Sequence, residues 1–161
     1  MRPASLILGD QHFVLRAAEE QDVPALAALL ADDAIGATRE VPGDLEPYLA
    51  AFGMIDADPA HLLLVAEDRD GALAGTLQLS LLPGLSRHGA TRAQIEGVRV
   101  AEPHRGAALG STLVRFAIDE ARARGAALVQ LTTDLRREDA RRFYERLGFT
   151  ASHAGLKRDL R

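Results

Sequence analysis

An α+β (mixed α/β) fold, with a central, mostly antiparallel sheet flanked by helices, is predicted by three observations in this chain of 161 residues. Apolar runs at Leu62 to Glu67 and Leu73 to Leu82 are separated by Arg69-Asp70-Gly71, where Asp-Gly favours the positive φ of a tight hairpin. The spaced valines of Val98-Arg99-Val100 lead into a Gly- and Ala-rich turn and then into apolar residues at offsets of three and four. A near-continuous apolar run covers Ala126 to Thr133, of the kind a strand buried on both faces shows. The last two observations together make a βαβ crossover, right-handed by the general rule, whose strands lie parallel.

Each element has its own signal. Phe13 to Arg16 reads as a short strand, and Asp22 to Ala31 as a helix with Val23, Leu26, Leu29 and Leu30 inward. Leu45 to Ile55 reads as a second, weaker helix. Ile95, Val98 and Val100 mark the strand that Pro103 stops. Leu109, Leu113, Phe116, Ala117 and Ala121 share one helix face between Ala107 and Arg124, and Gly125 supplies a left-handed stop. Asp134 can cap a last helix, on which Ala140, Phe143 and Leu147 form a stripe with Tyr144 at its edge and Gly148 at its end. Phe149 to Leu160 is expected to add one or two strands. The length and the 47% hydrophobic content suit a single domain over residues 1–161.

Composition excludes several chemistries. With no Cys there is no disulfide framework, thiolate metal site or cysteine nucleophile. His12, His61 and His153 have no mutual spacing that suggests a metal. The amino terminus lacks a signal-peptide apolar stretch, and no apolar run approaches the roughly 18 residues of a membrane span, so a cytoplasmic protein without membrane association is expected. Residues 1–80 carry 4 Arg against 14 acids and residues 81–161 carry 15 Lys and Arg against 9 acids, balances of −10 and +6 that give the net −4. A basic second half attracts anions and an acidic first half attracts cations. Arg141, Arg142 and Arg146 face different sides of their helix and make no stripe for nucleic acid.

The segment Pro103-His104-Arg105-Gly106-Ala107-Ala108-Leu109-Gly110-Ser111 reads as an anion cradle. A helix that begins on Gly and Ala leaves backbone N–H groups unpaired and uncovered, with the positive end of the macrodipole behind them. A Walker loop needs Lys before the Ser, where Gly110 stands, and a dinucleotide fingerprint needs a Gly spacing that Gly106 and Gly110 do not supply. What remains is Arg-x-x-(Gly/Ala)-x-Gly after a Val-x-Val strand. Together with Ala140-Arg141-Arg142-Phe143-Tyr144 and Gly148-Phe149 downstream, it resembles the acetyl coenzyme A loop and the A-x-x-F-Y-x-x-x-G-F signature of the GNAT family of N-acetyltransferases. Two departures stand out. Ala108 occupies the place of the middle Gly, which calls for a negative φ there, and Arg137 stands where many members carry Asn.

The resemblance implies a GNAT-like sheet whose parallel crossover forms the site for acetyl coenzyme A. It implies cofactor contacts from Val98, Arg99, Val100, Arg105, Gly106, Ala107, Ala108, Leu109, Gly110 and Ser111, and from Thr133, Arg137 and Tyr144 downstream. It also implies direct transfer of acetyl to a primary amine of a small molecule, with Tyr144 as the acid that protonates the departing sulfur. Glu96 is the candidate general base, because straight-strand parity puts it on one face with Val98 and Val100, and burial there would raise its pKa. Pairing with Arg92 is the structural alternative for Glu96. Arg87, His88 and Arg92 can meet a substrate carboxylate or form a solvated loop. A catalytically idle module that binds acyl coenzyme A is the second functional reading. A homodimer is common among relatives, and the acceptor loops fall at Ala34 to Asp44 and Leu82 to Arg92.

Overall fold

In the computed structural model, which describes residues 1–160, six strands form one sheet in chain order. They are β1 (Ala4–Leu8), β2 (Gln11–Ala17), β3 (His61–Asp68), β4 (Leu73–Leu82), β5 (Arg92–Val100) and β6 (Leu128–Leu131). The first five are antiparallel neighbours, and β6 runs parallel to β5. Helices α1 (Val23–Ala31) and α2 (Glu46–Asp56) cover one face, and α3 (Ser86–Gly89) is a single turn before β5. Helix α4 (Leu109–Ala123) is the crossover on the opposite face, and α5 (Glu138–Arg146) follows β6. No helix among the described residues is long and apolar enough to cross a membrane.

Strand alternation sorts the core into two layers. Leu62, Leu64, Leu77, Leu79, Ala93 and Ile95 meet Leu109, Leu113, Val114, Ala117 and Ala121 of α4. Val65 meets Val23, Leu26 and Phe52 beneath α1 and α2. The alternation breaks once in β5. Gln78 lies opposite Glu96 and Thr76 opposite Arg99, so two steps on β4 match three on β5. The extra residue falls at Gly97, whose φ is +62°, the signature of a bulge that glycine accommodates. Beyond it Val98 and Val100 pack with the α4 core, while Glu96 and Arg99 share the face of Gln78 and Thr76. The expected common face for Glu96, Val98 and Val100 is therefore corrected: Glu96 faces α1 and α2.

Three other expectations change. Residues 150–160 contain no strand and are exposed, since Leu156 and Leu160 have nothing to pack against (95% and 89% exposed). Strand β6 is half-buried instead of buried on both faces, because it is the sheet edge. Strand β1, absent from the sequence reading, pairs with β2 across a two-residue Gly9-Asp10 loop with Gly9 at φ +62°, a glycine-first hairpin turn.

An ion-pair knot ties β2 to the start of α1. Arg16 donates to both oxygens of Asp22 at 2.6 and 2.9 Å and to Glu67 at 2.8 Å, and both members of the Asp22 pair are largely buried. Asp22→Asn is expected to cost about 2–3 kcal/mol at neutral pH, because it leaves a charge underpaired. The Arg16 hydrogen bond, outweighing burial, holds the Asp22 carboxyl below its ordinary 3.8. The stabilisation is thus full above that pH and is lost as pH falls through the depressed value. Urea unfolding should show the gap between wild type and variant closing in acid; a gap that persists unchanged at pH 2 contradicts the assignment.

Candidate functional site

The first hydrogen bond of α4 runs from the Thr112 N–H to the Ala108 carbonyl at 3.0 Å. Leu109, Gly110 and Ser111 therefore have no acceptor within the helix for their N–H groups, which point out of its positive end. The Ser111 hydroxyl donates to the same Ala108 carbonyl at 2.7 Å, and the Leu109 side chain is core, 1% exposed, so Leu109 offers a ligand only its backbone. Gly110 lies between Val100 and Phe143: a Cβ there would make ordinary contacts at 3.4 and 3.7 Å, so α5 packs close to the first turn of α4.

Ala108 contradicts its expected negative φ. It caps α4 at φ +63°, ψ 2°, and Gly106 is also left-handed at φ +84°. The alanine is strained by this left-handed conformation, by roughly 1–2 kcal/mol. Relief minus the extra flexibility of unfolded glycine leaves a gain of about 0.5–1 kcal/mol expected for Ala108→Gly. Thermal and urea unfolding check this, and a less stable variant refutes the strain.

The neighbouring strands part at this point. Strand β5 pairs with β6 only from Arg92 to Ile95, so residues 96–100 have no strand partner on that side. Arg105 links β5 to the end of α1: it donates to the Val100 carbonyl at 3.0 Å and to the Asp32 carboxylate at 2.7 Å. Arg99 donates to the Val98 carbonyl at 2.9 Å and lies 3.3 Å from Asp33. Arg137 donates to both Asp33 oxygens at 2.8 and 2.9 Å. Asp33 thus joins the end of α1 to β5 and to the start of α5. Sequence reading missed it, though an acid at a helix C-terminus opposes the macrodipole and so signals a nearby cation. The opposite charges of the two halves of the chain meet here.

Asp134 does not cap α5. Its carboxylate accepts from the Arg136 N–H and guanidinium and from Arg39, and the helix begins after Arg137 with no side-chain cap. Arg136 holds the Asp134 carboxyl far below its ordinary value. Thr133 is half-buried at the gap, Ala107 is half-buried and Gly106 exposed at the turn.

Tyr144 is half-buried in an aromatic row, edge-on to Phe143 at 5.0 Å and to Phe149 at 5.9 Å. Burial pushes its phenol above 10.0, partly offset by Arg99 and Arg137. Glu96 is exposed, so the buried setting expected for it is absent. Beside it, a cavity of about 190 Å³ lies between α1, α2 and the sheet, with Leu30, Tyr48, Phe52, Thr76, Gln78 and Gly97 on its wall. Arg87 and His88 lie in the left-handed turn α3 at φ 55° and 58°. Among the described residues no His, Asp and Glu cluster could hold a metal.

Free N–H donors, a strand edge without a neighbouring strand and a phenol fit a diphosphate, an extended amide-bearing arm and a thioester. Comparison with known proteins gives the same direction. The family model for the acetyltransferase (GNAT) family matches residues 23–149. Over 111 residues the chain is 39% identical to the aminoalkylphosphonate N-acetyltransferase of Salmonella typhimurium, covering 68% of this chain and 70% of that one. It is 33% identical over 90 residues to the glucosamine 6-phosphate N-acetyltransferase of Trypanosoma brucei brucei, covering 56% and 59%. A solved structure described as a transcriptional regulator from Bacillus halodurans is similar with a TM-score of 0.86 and 44% identity, over 92% of this chain and 100% of that one. With residues 23–149 of its 161 matched by the family model and its sheet parted beside a glycine-led helix, the chain belongs to the GNAT family of acetyltransferases.

Proposed function

We propose that the protein transfers acetyl from acetyl coenzyme A to the primary amine of a small molecule by direct attack. The observation that carries this reading is the parting of β5 from β6 beside the free N–H groups of α4 and the Tyr144 phenol. Bound there, acetyl coenzyme A supplies an activated acyl thioester. The N–H groups of Leu109, Gly110 and Ser111 hold the diphosphate, and the edge of residues 96–100, which has no neighbouring strand, aligns the arm, with a backbone N–H of Val98 or Val100 stabilising the developing oxyanion. Fewer than about one alkylamine molecule in a thousand is neutral at pH 7. Glu96, on the face of α1 and α2 and open to solvent, takes the amine proton through water, while Tyr144 gives its proton to the departing sulfur.

The small-molecule acceptor draws support from the relatives, whose names specify an aminoalkylphosphonate and a hexosamine phosphate. Thiol release from acetyl coenzyme A with a panel of primary amines tests the reading. Amine-dependent release supports it. Tight coenzyme A binding with no release from any amine favours an idle acyl coenzyme A module, and no calorimetric affinity for coenzyme A refutes both.

A further inference from the structure

At the mouth of the gap two guanidiniums share one carboxylate. Asp33 receives Arg137 at 2.8 and 2.9 Å and lies 3.3 Å from Arg99 Nε. Its Oδ1 also accepts from the N–H groups of Ile35 and Gly36 at 2.9 and 2.7 Å. Two guanidiniums meet the single charge of Asp33, with Glu40 adding only a more distant electrostatic pull on Arg99, and the carboxylate's acceptor capacity is divided among several donors. Arg99 bears the deficit. Its Nε is buried and makes no hydrogen bond despite the nearby Asp33, and a buried donor without an acceptor is costly and rare. Burial also draws its guanidinium below the usual arginine value, with Asp33 only partly opposing this.

Direction separates this charge from the diphosphate site. Arg99 lies opposite Thr76 and Glu96 opposite Gln78, on the face away from α4. Those pairs lie two steps apart on β4, roughly 7 Å along the strand. The same guanidiniums act electrostatically on the Tyr144 phenol. A planar guanidinium with free donors matches the paired oxygens of a phosphonate, phosphate or carboxylate.

We infer that Arg99 and Arg137 bind an anionic group carried by the acceptor amine itself, with Asp33 occupying the anion's position in the free protein. The acceptor class is a compact molecule with its amine and its anion separated by a chain of two or three carbons, so that Glu96 faces the amine and Arg99 the anion. This inference rests on the acetyl-transfer reading for the amine end only; the anion end stands on Arg99, Arg137 and Asp33.

Matched amines test it: 3-aminopropylphosphonate, 4-aminobutyrate and butylamine. With the wild type, kcat/KM for the two anionic amines is expected to exceed that for butylamine by about 100-fold, the worth of charge-assisted hydrogen bonds. In Arg99→Gln and in Arg137→Gln the ratio falls toward one, chiefly through KM for the anionic amines. Acetylation of 4-aminobutyrate and of the phosphonate alike marks a general anion site, and of the phosphonate alone a phosphoryl site. Calorimetric titration of 3-aminopropylphosphonate gives a readout apart from turnover: binding to the wild type, lost in either variant, with circular dichroism confirming that both are folded. Should no amine be acetylated while this binding persists and depends on Arg99, the transfer reading fails and the anion site stands. Butylamine performing as well as the anionic amines, or variants that keep the wild-type ratio and the calorimetric binding, overturns the inference.

Discussion

Tyr144→Phe is expected to lower kcat for acetyl transfer by about 100- to 1,000-fold, the range for loss of a positioned acid, with coenzyme A affinity and Tm nearly unchanged. The substitution removes one oxygen and keeps the ring, so the edge-on contacts with Phe143 and Phe149 at 5.0 and 5.9 Å remain. Among the described residues the phenol engages no protein acceptor, so its loss orphans no partner. Burial outweighs Arg99 and Arg137 and holds its pKa above the ordinary 10.0. A donor of that kind stays protonated through neutral pH, and activity fails only as pH rises past that value. Stopped-flow detection of thiol release across pH 6 to 11 checks both statements. Wild-type turnover in the phenylalanine variant, or an alkaline limb near pH 8 assigned to Tyr144, removes it from the mechanism.

Legibility followed the range of each interaction. The hairpin at Asp70-Gly71 was readable because its cause is local: the Asp68 N–H meets the Ala72 carbonyl at 2.9 Å and Gly71 holds φ +84°. The α4 stripe was readable for the same reason, since offsets of three and four dictate a face whatever that face meets. Glu96 was misplaced because alternation was carried straight through Gly97, although an isolated glycine within a strand is itself a bulge signal. Ala108 was not legible because residue type argues against a left-handed φ, and nothing in the local sequence signals the one it adopts. Nothing local announces that Asp33 joins Arg99 to Arg137, residues far apart in the chain that only the folded sheet brings together.

Leu113→Ala is expected to destabilise the protein by about 3–4 kcal/mol, within the range for a leucine removed from a rigid core. Leu113 is 0% exposed and lies where α4 crosses β4 and β5, so neighbouring backbone cannot close in on the void. Its fit depends on Gly75: a Cβ added there would come within 3.0 Å of Leu113 Cδ1 and 3.0 Å of the Arg99 carbonyl. Gly75→Ala alone is therefore destabilising, since the side-chain methyl and the strand must both give way. In the double variant one of those two obstructions is gone and the added methyl enters the space that Leu113 vacates, so the combined loss falls short of the sum of the single losses. Urea unfolding of the four proteins measures that coupling. Additive losses mean that α4 does not seat on Gly75 as described, and with it goes the geometry that aims the free N–H groups of Leu109, Gly110 and Ser111 at the gap, because the same two residues set how closely the helix approaches the strand carrying Arg99.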